Sequence, residues 1–165
     1  SPGLERPLIE RVILSRPDLP AGERIRIEFP GSMPGSCREV EETARQMAAF
    51  LEGEDITFPL GITRLDRCPP FQRRILQAEH AIPRGRVSTY QRLAARCGAE
   101  KAARAAGHAL ATNPFPLIIP CHRAIRVDGT PGGYQGGSGM KIALLELEGI
   151  ILDHSGRVKA DLLYY

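Results

Sequence analysis

The sequence contains no tryptophan, and phenylalanine and tyrosine together supply only 5% of its 165 residues. A core built on large rings is therefore excluded, and Leu, Ile, Val and Ala must do most of the packing. No apolar run approaches the roughly 18 residues that a membrane helix needs, so no membrane partner is expected. No charged-then-apolar leader opens the chain. Cysteine is sparse: Cys37, Cys68, Cys97 and Cys121 lie 31, 29 and 24 residues apart. None of these spacings is that of a zinc knuckle or a two-cysteine redox motif. Such spacing in a chain this long points to a reducing compartment, with two disulfides as the other option. There is no internal repeat and no low-complexity tract. Ser1-Pro2-Gly3 reads as an internal start or a cloning scar.

What is present is ordinary in bulk and uneven in place. Hydrophobic residues make up 42% and charged residues 25%, as in a soluble globular protein. The net charge is only +3. Residues 1–70 hold 9 basic and 12 acidic side chains, residues 71–126 hold 10 and 2, and residues 127–165 hold 3 and 5. The basic middle is thus a local property. It suits either a solvated helical face or contact with a polyanion, where neutralised phosphates release counterions.

Residues 8–15 and 24–29 alternate between apolar and polar side chains and are expected to be strands. Residues 40–51 carry Val40, Ala44, Met47, Ala48 and Leu51 at helical spacing, with Gly53 as a stop. Residues 56–62 are a further strand candidate. A linker closes at Cys68-Pro69-Pro70, which divides the chain into residues 1–68 and residues 69–165. The expected class is α/β: a small N-terminal α/β domain, an antiparallel sheet plus a helix, followed by a mostly helical C-terminal domain.

In the second part, residues 71–80 read as a helix and Ile82-Pro83-Arg84-Gly85 as a turn. Ser88-x-x-Gln91 has the form of a capping box, with Ser88 as N-cap. A short helix to Arg96, a stop at Gly98 and a helix over 100–111 make a helix-turn-helix candidate. Asn113-Pro114-Phe115-Pro116 ends it, because neither proline continues a helix. Residues 117–119 read as a short buried strand, 129–139 as a glycine-rich loop, and 141–148 as a last helix. The second helix is unusual: Ala-Ala-Arg-Ala-Ala-Gly-His-Ala over 102–109 sets Arg104 among small side chains. It suits tight packing on a neighbouring helix, or a shallow seat in a DNA groove with Arg104 inserted.

The stretch Ile119-Pro120-Cys121-His122-Arg123 places a soft nucleophile beside a base. A free thiol with pKa about 8.5 is only a few per cent ionised near neutrality, and a base within reach raises that fraction. On a strand, adjacent side chains point to opposite faces. The pair therefore needs a turn at Pro120 or a bridging water.

Together with Tyr90 upstream and Gly133-Tyr134-Gln135-Gly136-Gly137 downstream, this stretch resembles the O6-alkylguanine-DNA alkyltransferase family. The resemblance runs over residues 71–150. It includes Phe71-Gln72-Arg73-Arg74, Ser88-Thr89-Tyr90, Lys101-Ala102-Ala103-Arg104-Ala105, Asn113-Pro114 and Leu144-Leu145-Glu146-Leu147-Glu148-Gly149, in the family's order. The front part is similar only loosely, and its first hairpin is shortened or missing.

The resemblance implies direct-reversal repair of double-stranded DNA containing O6-alkylguanine, and of O4-alkylthymine as a further substrate. Cys121 would accept the alkyl group once and irreversibly, as a monomer without a cofactor. His122 would act through a bridging water, oriented by Glu148, with Asn113 holding the active-site loop. Tyr90, Tyr134, Gln135, Ala124 and Lys141 would form the base pocket, the main chain at Ala124 and Gln135 binding the base edge. Arg104 would fill the space left by the flipped base, with Thr89, Ala103 and Arg123 on the DNA. Some members carry a structural zinc or disulfide in the front part, but Cys37, Cys68 and His80 are too scattered here, so no metal is expected. A cytoplasmic location follows, on the nucleoid if the source is prokaryotic.

Three other readings compete. A non-catalytic binder of alkylated bases would replace the reactive cysteine, which is present here. An alkylation-sensing regulator would need an additional DNA-binding module. A cysteine peptidase would need neither the basic block nor the small-residue helix.

Overall fold

In the computed structural model of the protein, residues 6–165 are described, so the reading of Ser1-Pro2-Gly3 lies outside them. The described chain is rich in helix, with a single two-stranded sheet. The front half contributes α1 (Ala21–Glu28) and α2 (Arg38–Leu51). The back half contributes α3 (Pro70–His80), β1 (Ser88–Thr89), α4 (Tyr90–Arg96), α5 (Ala103–Ala111), β2 (Ala124–Ile125) and α6 (Ser138–Leu147).

The antiparallel sheet expected in the front half is not there among the described residues. Residues 24–29 fall almost wholly within α1. Their Arg-Ile-Arg-Ile-Glu-Phe pattern also places Ile25 and Phe29, and Arg24 and Glu28, four apart. That is one helical turn, and Arg24 pairs with Glu28 at 2.9 Å. Residues 8–15 stay extended but are held by single rungs: Ile9 pairs with Thr63, and the Val12 amide donates to the Pro114 carbonyl at 2.8 Å. Residues 56–62 end in a 3₁₀ turn over Leu60–Ile62 rather than a strand.

β1 and β2 run parallel, with Ser88 opposite Ala124 and Thr89 opposite Ile125. This short ladder fixes the start of α4 beside the turn that follows Pro120. The α4 N-cap is Thr89, not Ser88: the Thr89 hydroxyl accepts from the Arg92 amide at 3.1 Å, whereas Ser88 is buried in the ladder. Gly98, at φ 74°, turns the chain between α4 and α5. Residues 116–119 form a tight turn, not a strand, with Leu117 at φ 71°.

Phe50, Phe58, Leu65 and Cys68 of the front half share one buried cluster with Ile75, Leu76, Leu93, Ala106, Leu110 and Phe115. Hydrophobic burial is therefore continuous across residues 68–69. A second cluster, Val87, Ile125, Leu145, Ile150 and Val158, lies behind the ladder.

Candidate active site

The loop that presents Cys121 is clasped by Asn113. The Asn113 amide donates to the Ile119 carbonyl at 3.1 Å, and its side-chain oxygen accepts from the Phe115 amide at 2.9 Å. Both bonds are buried, so they hold Leu117 in its left-handed conformation against the cost of a side chain there. Pro120, at φ −77° and ψ 63°, then makes an inverse γ-turn, with the Cys121 amide donating to the Ile119 carbonyl at 2.7 Å. A 3₁₀ turn over Cys121–Arg123 follows. Strand alternation is broken at the residue where the chemistry needs it broken.

His122 is fully buried, and its Nε2 lies 2.7 Å from a Glu148 carboxylate oxygen. Arg123 closes on the same carboxylate with its Nε and Nη2, at 2.8 to 3.1 Å, and its Nη1 donates to the Ile82 carbonyl at 2.5 Å. Burial alone would raise the Glu148 carboxyl, but hydrogen bonds from His122 and Arg123 outweigh it and bring the pKa to about 2. Burial pushes the His122 imidazole down, so the ring is neutral. A neutral imidazole beside an ionised carboxylate carries its proton on Nε2. Its Nδ1 is then a free acceptor, and that atom is buried without a partner. The ring is packed edgewise against Phe50 and Tyr134, with centroids 6.1 and 6.5 Å away.

Cys121 lines a cavity of about 570 Å³ together with Tyr90, Tyr134 and Gln135. Burial pushes its thiol up to about 11, although Asn113 and Lys141 favour the anion. The resting group is a thiol. Lys141 is buried and donates to the Ala124 carbonyl at 2.6 Å, with the Gly133 carbonyl at 3.4 Å and the Tyr90 hydroxyl at 3.5 Å. Burial lowers its pKa to about 8. Tyr90 and Tyr134 are both raised by burial, Tyr90 to about 12, so both hydroxyls are neutral donors.

A family model described as "6-O-methylguanine DNA methyltransferase, DNA binding domain" matches residues 70–150. A methylated-DNA–protein-cysteine methyltransferase of Methanothermobacter thermautotrophicus is 49% identical over 74% of this chain and 66% of its own length. One from Methanosarcina barkeri is 37% identical over 74% of this chain and 77% of its own. The chain belongs to the methylated-DNA–protein-cysteine methyltransferase family. It spans just under two thirds of the Methanothermobacter relative. Among solved structures it is similar to Mycobacterium tuberculosis OGT in complex with DNA. The TM-score is 0.59 at 39% identity, covering 65% of this chain and 64% of that one.

Within this methyltransferase-family fold, Cys121, His122, Glu148 and Asn113 come together around one turn, Tyr90 and Tyr134 line the cavity, and Lys141 is buried with its ammonium on the Ala124 and Gly133 carbonyls. Gln135 anchors the glycine loop, its side chain donating to the Asn113 carbonyl at 2.7 Å. Its own carbonyl accepts from Arg16 Nε at 3.3 Å. The Ala124 carbonyl, expected on the base edge, is engaged by Lys141. Two residues expected on DNA are placed otherwise. Arg123 is buried, with its guanidinium committed to Glu148 and Ile82, because a carboxylate beside His122 needs a counter-charge. Thr89 is 4% exposed and spends its hydroxyl as the α4 cap. Arg104 is exposed at the start of α5, and Ala103 beside it is half-buried.

Sequence reasoning missed Arg16, Pro17 and Asp18, which form one wall of the cavity from the front half. No pattern in residues 8–18 signals this; the placement depends on the Arg16–Leu19 turn meeting the glycine loop. It also missed Arg126 at the cavity and Glu79 behind it. The excess of basic residues over 71–126 contained the clue to Arg126. Among the described residues no cluster of three or more His, Cys, Asp or Glu side chains is placed to hold a metal, and the four cysteines are free thiols.

Proposed function

We propose that this protein repairs alkylated DNA by direct reversal, taking the O6-alkyl group of a flipped-out guanine onto Cys121 in a single irreversible event. O4-alkylthymine is the further substrate of the same reading. The observation that carries it is Cys121 at the wall of the cavity, followed in the same turn by His122, whose Nδ1 is unpartnered and whose Nε2 is held by Glu148. The Cys121 proton leaves toward His122 Nδ1 through a bridging water, because Nε2 is already committed to Glu148. The thiolate attacks the alkyl carbon, an S–C bond forms, and the C–O6 bond breaks with its electron pair going to the purine. The proton returns to the base at N1, giving guanine. The atoms balance without a cofactor.

The roles of the surrounding groups follow. Lys141 supplies the positive charge that favours the sulfur anion once the cavity is closed to water. Tyr90 and Tyr134 offer neutral hydroxyls and ring faces to the base. Ala103 and Arg104 lie at the start of the small-residue helix α5, where Arg104 is free to enter the stack. The protein acts as a monomer on duplex DNA. The front part, residues 1–68, contributes the Arg16–Asp18 wall, and residues 69–165 contribute the chemistry.

The test is stoichiometry. Incubated with several equivalents of O6-methylguanine duplex, each protein molecule is expected to take one methyl and no more, with the excess duplex left damaged. Repeated turnover, or no transfer, contradicts the proposal.

A further inference from the structure

Glu79 is fully buried on α3, and neither of its carboxylate oxygens has a hydrogen-bond partner. α3 packs directly on the turn that carries Cys121, His122 and Arg123. An ionised carboxylate in that position would be costly, and its placement beside the nucleophile calls for an explanation.

The groups acting on Glu79 come from each element around it: Lys141 of α6, Arg123 and Cys121 of the 3₁₀ turn, Glu148 after α6, Tyr90 of α4, and Tyr165 of the tail. Their charges sort simply. Arg123 is matched by Glu148 through paired hydrogen bonds, and His122 is neutral. Lys141 remains as the one positive charge without a carboxylate partner in this group, bonded only to carbonyls and the Tyr90 hydroxyl. Two groups compete for its field, Glu79 and the Cys121 sulfur.

We propose that Glu79 is a positioning residue for the nucleophile: kept as a neutral carboxylic acid, it leaves the Lys141 ammonium to act on the Cys121 sulfur alone. When Glu79 ionises, its negative charge offsets Lys141 and opposes a second anion in the same buried space. The proposal rests on Cys121 being the alkyl acceptor. Burial, its largest influence, raises the Glu79 carboxyl to about 8, which agrees with a neutral acid at physiological pH. The role requires no proton transfer between Glu79 and the sulfur, only a change in the field that both share.

The test reads Cys121 without guanine chemistry. The rate of Cys121 carbamidomethylation by iodoacetamide is followed by peptide mass from pH 6.5 to pH 9.5 in wild type, Glu79→Gln and Glu79→Leu. The expected result is a variant-to-wild-type rate ratio that climbs at least about fivefold across that range: Lys141 loses its charge in every protein as pH passes about 8, and only the wild type also gains a carboxylate charge. A ratio that stays flat, or a variant slower by the same factor at every pH, overturns the proposal. In the wild type alone, with 13C-labelled glutamate carboxyls, the Glu79 signal is expected to titrate above pH 7. Titration below pH 5 overturns it whether or not the variants fold. A parallel incubation with O6-methylguanine duplex separates the two readings. Absence of methyl transfer there refutes the repair function, while the iodoacetamide ratio still decides the role of Glu79.

Discussion

His122 Nε2 meets the Glu148 carboxylate at 2.7 Å with both side chains sealed from solvent, and this contact commits one ring nitrogen and leaves the other, Nδ1, a buried acceptor without a partner. Arg123 bonds both oxygens of the same carboxylate and favours its ionised form. The tautomer of the imidazole is thus set by a buried charge pair.

Removing that carboxylate has a structural cost and a chemical one. Glu148→Gln leaves the buried Arg123 guanidinium without its counter-charge, and a loss of about 3–5 kcal/mol in unfolding free energy is expected by denaturant titration. Methyl transfer should fall further than the folded fraction does, because the His122 tautomer is no longer fixed. Transfer that tracks the folded fraction would mean that Glu148 is only structural.

Glu148 and Glu79 give opposite pH dependences. Glu148 has a folded pKa of about 2, below its ordinary 4.5. Its contribution is therefore present above pH 4.5 and lost as pH falls toward 2, roughly 3 kcal/mol at about 1.36 kcal/mol per unit. Glu79 is raised from 4.5 to about 8, so the wild type loses stability as pH rises between those values. Glu79→Leu should therefore gain more stability over wild type at pH 8 than at pH 5, measured by thermal unfolding. Equal gains at both would indicate that Glu79 is ionised throughout.

Arg104 stands exposed near the start of α5. Arg104→Ala should slow methyl transfer from duplex DNA far more than reaction with free O6-benzylguanine, which needs no flipping. It should also lower the slope of log affinity against log salt by about one, as for one lost phosphate contact. Equal losses on both substrates would remove Arg104 from base eversion.

Arg16, Pro17 and Asp18 line the cavity beside the glycine loop that carries Tyr134 and Gln135. Arg16→Ala frees the Gln135 carbonyl and loosens that wall. The benzyl-to-methyl ratio of transfer rates from modified duplexes should rise, since added room helps the bulkier group. An unchanged ratio would place the size limit elsewhere.

The back half was legible because its signals are local. Pro70 starts α3, Gly98 turns α4 into α5, and the prolines at 114 and 116 end α5, each through backbone geometry that one residue enforces. The need for a break at Pro120 followed from strand alternation alone. The front half was not legible, because Arg-Ile-Arg-Ile-Glu-Phe satisfies both period two and an i, i+4 pairing, and the Arg24–Glu28 pair favours the helix. Arg123 and Thr89 look like surface contacts in a basic block, yet one neutralises a buried carboxylate and the other caps a helix. Glu79 sits among helix residues with no local mark. Its significance comes only from the turn packed against it.

The most direct measurement is the mass of the Cys121 peptide after incubation with O6-methylguanine duplex. One added methyl on Cys121, absent from Cys37, Cys68 and Cys97 and abolished by Cys121→Ser, is the expected result. A bare Cys121 alongside intact or repaired DNA would contradict the account.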